Sequence, residues 1–133
     1  MRVPYEPAKV IRQIEPGARG DFIVELWARR LRRRLSVAGI FSPDRVFGLA
    51  WSGAMTTTRL AGLLAHLPEG TSEIYLHPAT APGYPGSTPG YLYEQELAAL
   101  TSSQAVDSVK KSKISLGSFA DFLPCGEGAK VGR

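Results

Sequence analysis

Between residues 22 and 35 the apolar side chains Phe22, Ile23, Leu26, Trp27, Leu31 and Leu35 return every three or four positions, the spacing of one helix face. Asp21 after Gly20 suits an N-cap and Gly39 suits a stop, so the spacing predicts an amphipathic helix over roughly 21–38. Beyond it the pattern alternates between short apolar runs and helical stretches. Val46–Ala50 reads as a strand, Trp51-Ser52-Gly53 as a turn, and Leu60, Leu63, Leu64 and Leu67 as the buried stripe of a helix ended by Pro68-Glu69-Gly70. Ile74–Leu76 predicts a second strand that stops at His77-Pro78. Three prolines and three glycines then crowd residues 79–90, which predicts a long irregular loop of the kind that often carries function. Tyr91–Leu100 and Ser103–Lys110 read as helices, and Lys113–Leu116 with Ser118-Phe119 as a last strand. Strands alternating with helices point to an α/β fold with mainly parallel strands.

At 133 residues the chain is long enough for one core and too short for two ordinary domains. One unit over 1–123 is expected, with 124–133 a flexible tail. No run of eighteen apolar residues suggests a membrane span, and the N-terminus lacks a signal-peptide layout, so the expected compartment is the cytoplasm. With one cysteine, Cys125, and two histidines, His66 and His77, an internal disulfide and a Cys/His zinc site are both excluded. Charge is uneven. Residues 1–66 hold 11 Lys/Arg against 5 Asp/Glu, and residues 67–133 hold 5 against 7, giving +6 and −2. Most of the excess is the run Arg29, Arg30, Arg32, Arg33 and Arg34, which suits nucleic acid, anionic lipid or water. No aromatic or glycine-rich RNA-binding pattern accompanies it, so a solvated or intramolecular face is the simpler reading and nucleic acid is not expected.

Two places can carry chemistry. His77 stands where a strand meets the long loop, the end of a parallel sheet at which sites are built, and imidazole gives or takes a proton near neutral pH. Its plainer reading is a strand cap bonded to a loop carbonyl. The second place, Ala50-Trp51-Ser52-Gly53-Ala54, is like a nucleophile elbow with alanine at both outer glycines. A serine-type esterase on Ser52 would need an acid and a histidine, and only Glu69 or Glu73 and His77 are at hand. The plainer reading is a turn in which Ser52 caps a helix and Trp51 packs on the loop. No Gly-Lys-Ser/Thr follows, which argues against a phosphate loop.

Taken together, Arg2-Val3-Pro4-Tyr5-Glu6-Pro7, Asp44 to Met55 and Ser72-Glu73-Ile74-Tyr75-Leu76-His77-Pro78-Ala79 resemble the C-terminal part of YdjC-like carbohydrate deacetylases, most of all the hopanoid-biosynthesis-associated branch. Tyr93-x-x-Glu96-Leu97-x-x-Leu100-Thr101 and Ile114-x-Leu116-x-Ser118-Phe119-x-Asp121-Phe122 extend the resemblance over nearly all of 1–122. It implies a partial (β/α) barrel, the C-terminal portion of a distorted TIM-like barrel, and metal-dependent hydrolysis of N-acetylated sugars or glycolipids.

The family's Asp-Asp-Phe-Gly element and its two metal-binding histidines have no counterpart here. The chain therefore looks like the C-terminal half of such a hydrolase, from a truncation, a split gene or a mis-chosen start. Magnesium or zinc is implied for the full-length family, yet this chain alone is expected neither to bind a metal tightly nor to turn over. A separate N-terminal half or a homo-oligomer is the implied partner. The resemblance makes His77 the proton donor or oxyanion stabiliser, puts Arg2 and Glu6 near the metal side, and makes Trp51, Ser52 and Tyr91 sugar contacts. For Arg2 and Glu6 a mutual ion pair, and for the aromatics a core role, are the competing readings. A stand-alone module binding through Arg29 to Arg34 remains the alternative class.

Overall fold

The computed structural model describes residues 1–18 and 22–122. Asp21, the expected cap of the long helix, and the tail 124–133 with Cys125 lie outside the described residues.

The first helix, α1 (Ala8–Ile14), had no counterpart in the sequence reading. Pro7 opens it with φ −67°, and Val10 and Ile11 are its buried residues. It stops because Glu15 precedes Pro16, and a residue before proline is driven out of the helical region, here to φ −136° and ψ 93°. Helix α2 (Phe22–Val37) matches its prediction closely. Its end is a Schellman motif: Gly39 adopts φ +69°, Gly39 N–H donates to the Ser36 carbonyl at 3.1 Å and Ile40 N–H to that of Leu35 at 2.9 Å.

The packing of α2 differs from the expectation. Ala28 and Leu35 are its buried residues, set against Val3 with Tyr5 alongside, whereas Leu26 and Trp27 of the predicted stripe face outward. The reason lies in partners outside the helix, since Ala28 and Leu35 meet Val3 and Arg32, one turn on from Ala28, bonds to the Asp44 carbonyl at 2.8 Å.

Strands β1 (Arg45–Phe47) and β2 (Ser72–Ile74) pair in parallel, with Arg45 opposite Ser72 and Phe47 opposite Ile74. Between them runs α3 (Thr57–His66), which packs on α1, α4 and α5. Thr56, and not Ser52, caps it: the Thr56 hydroxyl accepts from Arg59 N–H at 3.3 Å. Strand β2 sits two residues earlier than predicted and ends before Tyr75, although Tyr75 N–H still donates to the Phe47 carbonyl at 2.8 Å. The outer side of β1 is covered in part, because Val46 N–H donates to the Tyr5 carbonyl at 2.9 Å.

Helices α4 (Tyr93–Thr101) and α5 (Ser103–Lys111) are separated by Ser102, whose ψ of 142° breaks the helix and whose hydroxyl accepts from Ala105 N–H at 3.2 Å to start the next. The expected last strand is absent: residues 113–118 are irregular, Ile114 packs on the core, and a 3₁₀ turn covers Phe119–Phe122. The main core joins Val10 and Ile11 of α1, Phe47 of β1, Trp51 and Met55 of the following turn and Leu60, Leu63 and Leu64 of α3.

Candidate functional site around His77

The turn after β1 is shaped by a carboxylate. Glu6 Oε1 accepts from Gly48 N–H at 2.7 Å and Leu49 N–H at 3.0 Å, and Oε2 accepts from Ala50 N–H at 2.8 Å. Burial pushes the Glu6 carboxyl above its ordinary range, and these donors oppose that shift without cancelling it. Gly48 is required there: it has φ +98°, and a Cβ would stand 2.3 Å from the Tyr75 carbonyl oxygen. Glu6 is thus committed to the turn and not to Arg2. The Arg2 guanidinium instead pairs with Glu73, with Nε 2.6 Å from Oε1, and lies over the Tyr75 ring at 5.3 Å from its centroid.

His77 is set between two aromatic rings, Tyr75 at 4.5 Å and Tyr91 at 4.8 Å between centroids, both near edge-to-face. Tyr91 is held in turn by Ser52, with Oγ and the phenol oxygen 2.9 Å apart. Gly53 makes room for it. At φ +74°, a Cβ on residue 53 would fall 2.3 Å from the Tyr91 ring. The neighbouring Tyr93 anchors the long loop, its phenol oxygen accepting from Thr88 N–H at 2.8 Å.

Beneath the histidine lies Glu96, 1% exposed on α4. Its Oε1 accepts from Met55 N–H at 3.0 Å and its Oε2 from His77 N–H at 2.5 Å. His77 Nδ1 lies 3.9 Å from the same Oε2, is buried, and has no hydrogen-bond partner among the described residues. A lone pair turned toward a carboxylate is repelled and an N–H is attracted, so this contact favours the proton on Nδ1. Exchange with a ligand then passes through Nε2, and the side chain is 22% exposed.

Of the residues singled out from sequence, Arg2, His77, Tyr91 and Ser52 therefore fall into one contiguous row through Tyr75. Trp51 does not join it. Its ring is buried in the main core and covered by the Arg59 guanidinium at 5.4 Å, because Arg59 is itself fixed by Glu15 and the Ala54 carbonyl, so a sugar contact there is set aside. Sequence reasoning missed Tyr75 and the role of Glu96. The available clue was Glu96 at helical spacing from Tyr93 and Ala99, an acid on what is otherwise the inward face of α4.

The profile of the YdjC-like protein family matches residues 1–111, which include the whole row and Glu96. The chain belongs to the YdjC-like family. No curated protein and no solved structure matches it. For a YdjC-like chain the question of a metal is natural, and the donor set answers it for the described residues: no group of three or more His, Cys, Asp or Glu side chains is placed to hold an ion. The oxygens of Glu6 and Glu96 are engaged by backbone N–H groups. These residues do not fit a resident divalent metal. Among them no helix is long and apolar enough to cross a membrane.

Proposed function

We propose that this YdjC-like chain contributes the proton-donating side of a carbohydrate deacetylase site, in a (β/α) barrel of which β1, α3 and β2 are one unit. The hopanoid link suggested by its sequence motifs belongs to the same proposal. The carrying observation is the His77 imidazole, wedged between Tyr75 and Tyr91 with Nδ1 buried over Glu96. Protonated on both nitrogens, with Nδ1–H toward Glu96, a ring held so can give its Nε2 proton to the amine nitrogen as the C–N bond of an N-acetyl group breaks. Tyr75 and Tyr91 offer ring surface to a sugar, and Ser52, the Tyr91 phenol and Arg2 offer hydrogen bonds. The water-activating metal ligands and base belong to residues other than those described.

A serine-type esterase is less well supported, because the Ser52 hydroxyl bonds to Tyr91 and not to His77. The test is acetate release from N-acetylglucosamine oligomers. The chain alone should release none, and the chain combined with the metal-binding half of a YdjC-like relative should release acetate. In that combination His77→Ala should lower turnover by about 10² to 10⁴ while folding persists. Chelator-sensitive release by the chain alone would defeat the division of labour, and unchanged turnover in His77→Ala would remove His77 from the reaction.

A further inference from the structure

Helix α2 packs against no other helix or strand among the described elements, and its buried apolar contacts are Ala28 and Leu35, seven residues apart on one line. Opposite that line runs a different series. Leu26, Arg30, Arg33 and Val37 follow at spacings of four, three and four, with Trp27 and Arg34 alongside, so they share the outward face. Its apolar members are well exposed: Leu26 60%, Trp27 68% and Val37 86%.

The arginines of the run divide into two groups. Arg29 pairs with Glu25 at 2.7 Å, Arg32 bonds to Asp44, and both guanidinium groups lie over the Tyr5 ring, so these belong to the fold. Arg30, Arg33 and Arg34 have no acidic partner among the described residues, and Glu25, the one acid in α2, is already taken.

We propose that this face of α2 docks on an anionic membrane surface. Three unpaired guanidinium groups set among Leu26, Trp27 and Val37 would be costly to bury against a dry protein interface, which would strip them of water. At a bilayer boundary the same arrangement is satisfied throughout. The apolar side chains enter the acyl region, tryptophan sits at headgroup depth, and arginine stems reach outward to lipid phosphates. Nucleic acid would use the arginines alone and leave the exposed apolar residues wet.

The purified full chain should co-sediment with phosphatidylglycerol vesicles and not with phosphatidylcholine vesicles, and added salt should weaken the binding. Reversing Arg30 and Arg33 together to Glu should weaken partitioning by about tenfold or more. Brominated lipid should quench a component of the tryptophan emission that is lost in Trp27→Phe, since Trp51 is buried. Leu26→Ser with Val37→Ser should weaken binding while leaving the melting temperature unchanged, which separates docking from folding. The proposal is overturned by binding to both vesicle types alike, by vesicle binding without quenching, by salt-sensitive binding to RNA but not to vesicles, or by no binding at all. A dimer in light scattering whose Trp27 resists iodide quenching would overturn it in favour of a second copy on this face.

Discussion

Replacing Glu96 by alanine removes the acceptor for two backbone donors at once, Met55 N–H and His77 N–H. A buried donor left unpaired costs about 1–3 kcal/mol, the Met55 N–H toward the upper end and the part-buried His77 N–H toward the lower. Removing a buried carboxylate returns part of that, because the carboxylate itself had to leave water on folding. The expected net loss is about 2–4 kcal/mol, a large share of the roughly 5–15 kcal/mol that holds a domain of this size. Glu96→Gln keeps one carbonyl oxygen and turns an amide NH₂ toward the other donor, so it should lose about half as much. Urea unfolding followed by far-ultraviolet circular dichroism gives both values, with the slope against denaturant confirming that the same surface unfolds. Amide resonances of Met55 and His77 should move upfield in both variants as their bonds to the carboxylate disappear. A Glu96→Ala protein within about 0.5 kcal/mol of the parent would refute the reasoning, because two orphaned donors cannot be so cheap.

Glu6 should give a measurable pH dependence. Its folded-state pKa lies above the ordinary value of 4.5, so across the window upward from there the folded chain binds more protons than the unfolded one, and stability falls as pH rises. Glu6→Gln should flatten that part of the curve of urea midpoint against pH, and an unchanged slope would count against it. Gly53→Ala should displace Tyr91, destabilising the chain by about 1–3 kcal/mol through positive-φ strain and the ring collision, with altered aromatic ring shifts on His77 in its NMR spectrum. Ser52→Ala should change stability by less than about 1 kcal/mol and leave acetate release by the combined halves within a few-fold of normal, whereas loss of all turnover would revive the esterase reading. Trp51→Ala should cost about 3–5 kcal/mol as a core truncation, and a stable protein with weakened sugar binding would return Trp51 to the site.

What could be read along the chain was what neighbours in sequence decide. The period of α2, the leucine stripe of α3, the break at Ser102 and the irregular loop over 79–90 all follow from local spacing, capping and proline content. What could not be read depended on distant partners. Nothing near Leu26 and Trp27 says that Ala28 and Leu35 will face the core, because that choice is made by Val3 and Asp44. Trp51 in a turn looks accessible until Arg59 and the core close over it. The 113–116 run has the apolar alternation of a strand, yet a strand needs a partner edge and the described residues supply none to it. At the site, His77 was legible from its place after an apolar run, but Glu96 was not, since a glutamate on a helix is ordinarily a solvated one.

The three-residue pairing of β1 and β2 ends before His77, so the histidine takes little of its rigidity from the sheet. It takes it from a carboxylate on α4 that also holds the turn at Met55, which joins three parts of the chain at one point. Such a junction opens as a unit. With Glu96 on α4 and α4 packed on α3, the protection of the Met55 and His77 amides against exchange should follow the opening of α4. The freedom of the imidazole should then depend on how well α4 is seated, at Tyr93 and Ala99 as much as at Glu96.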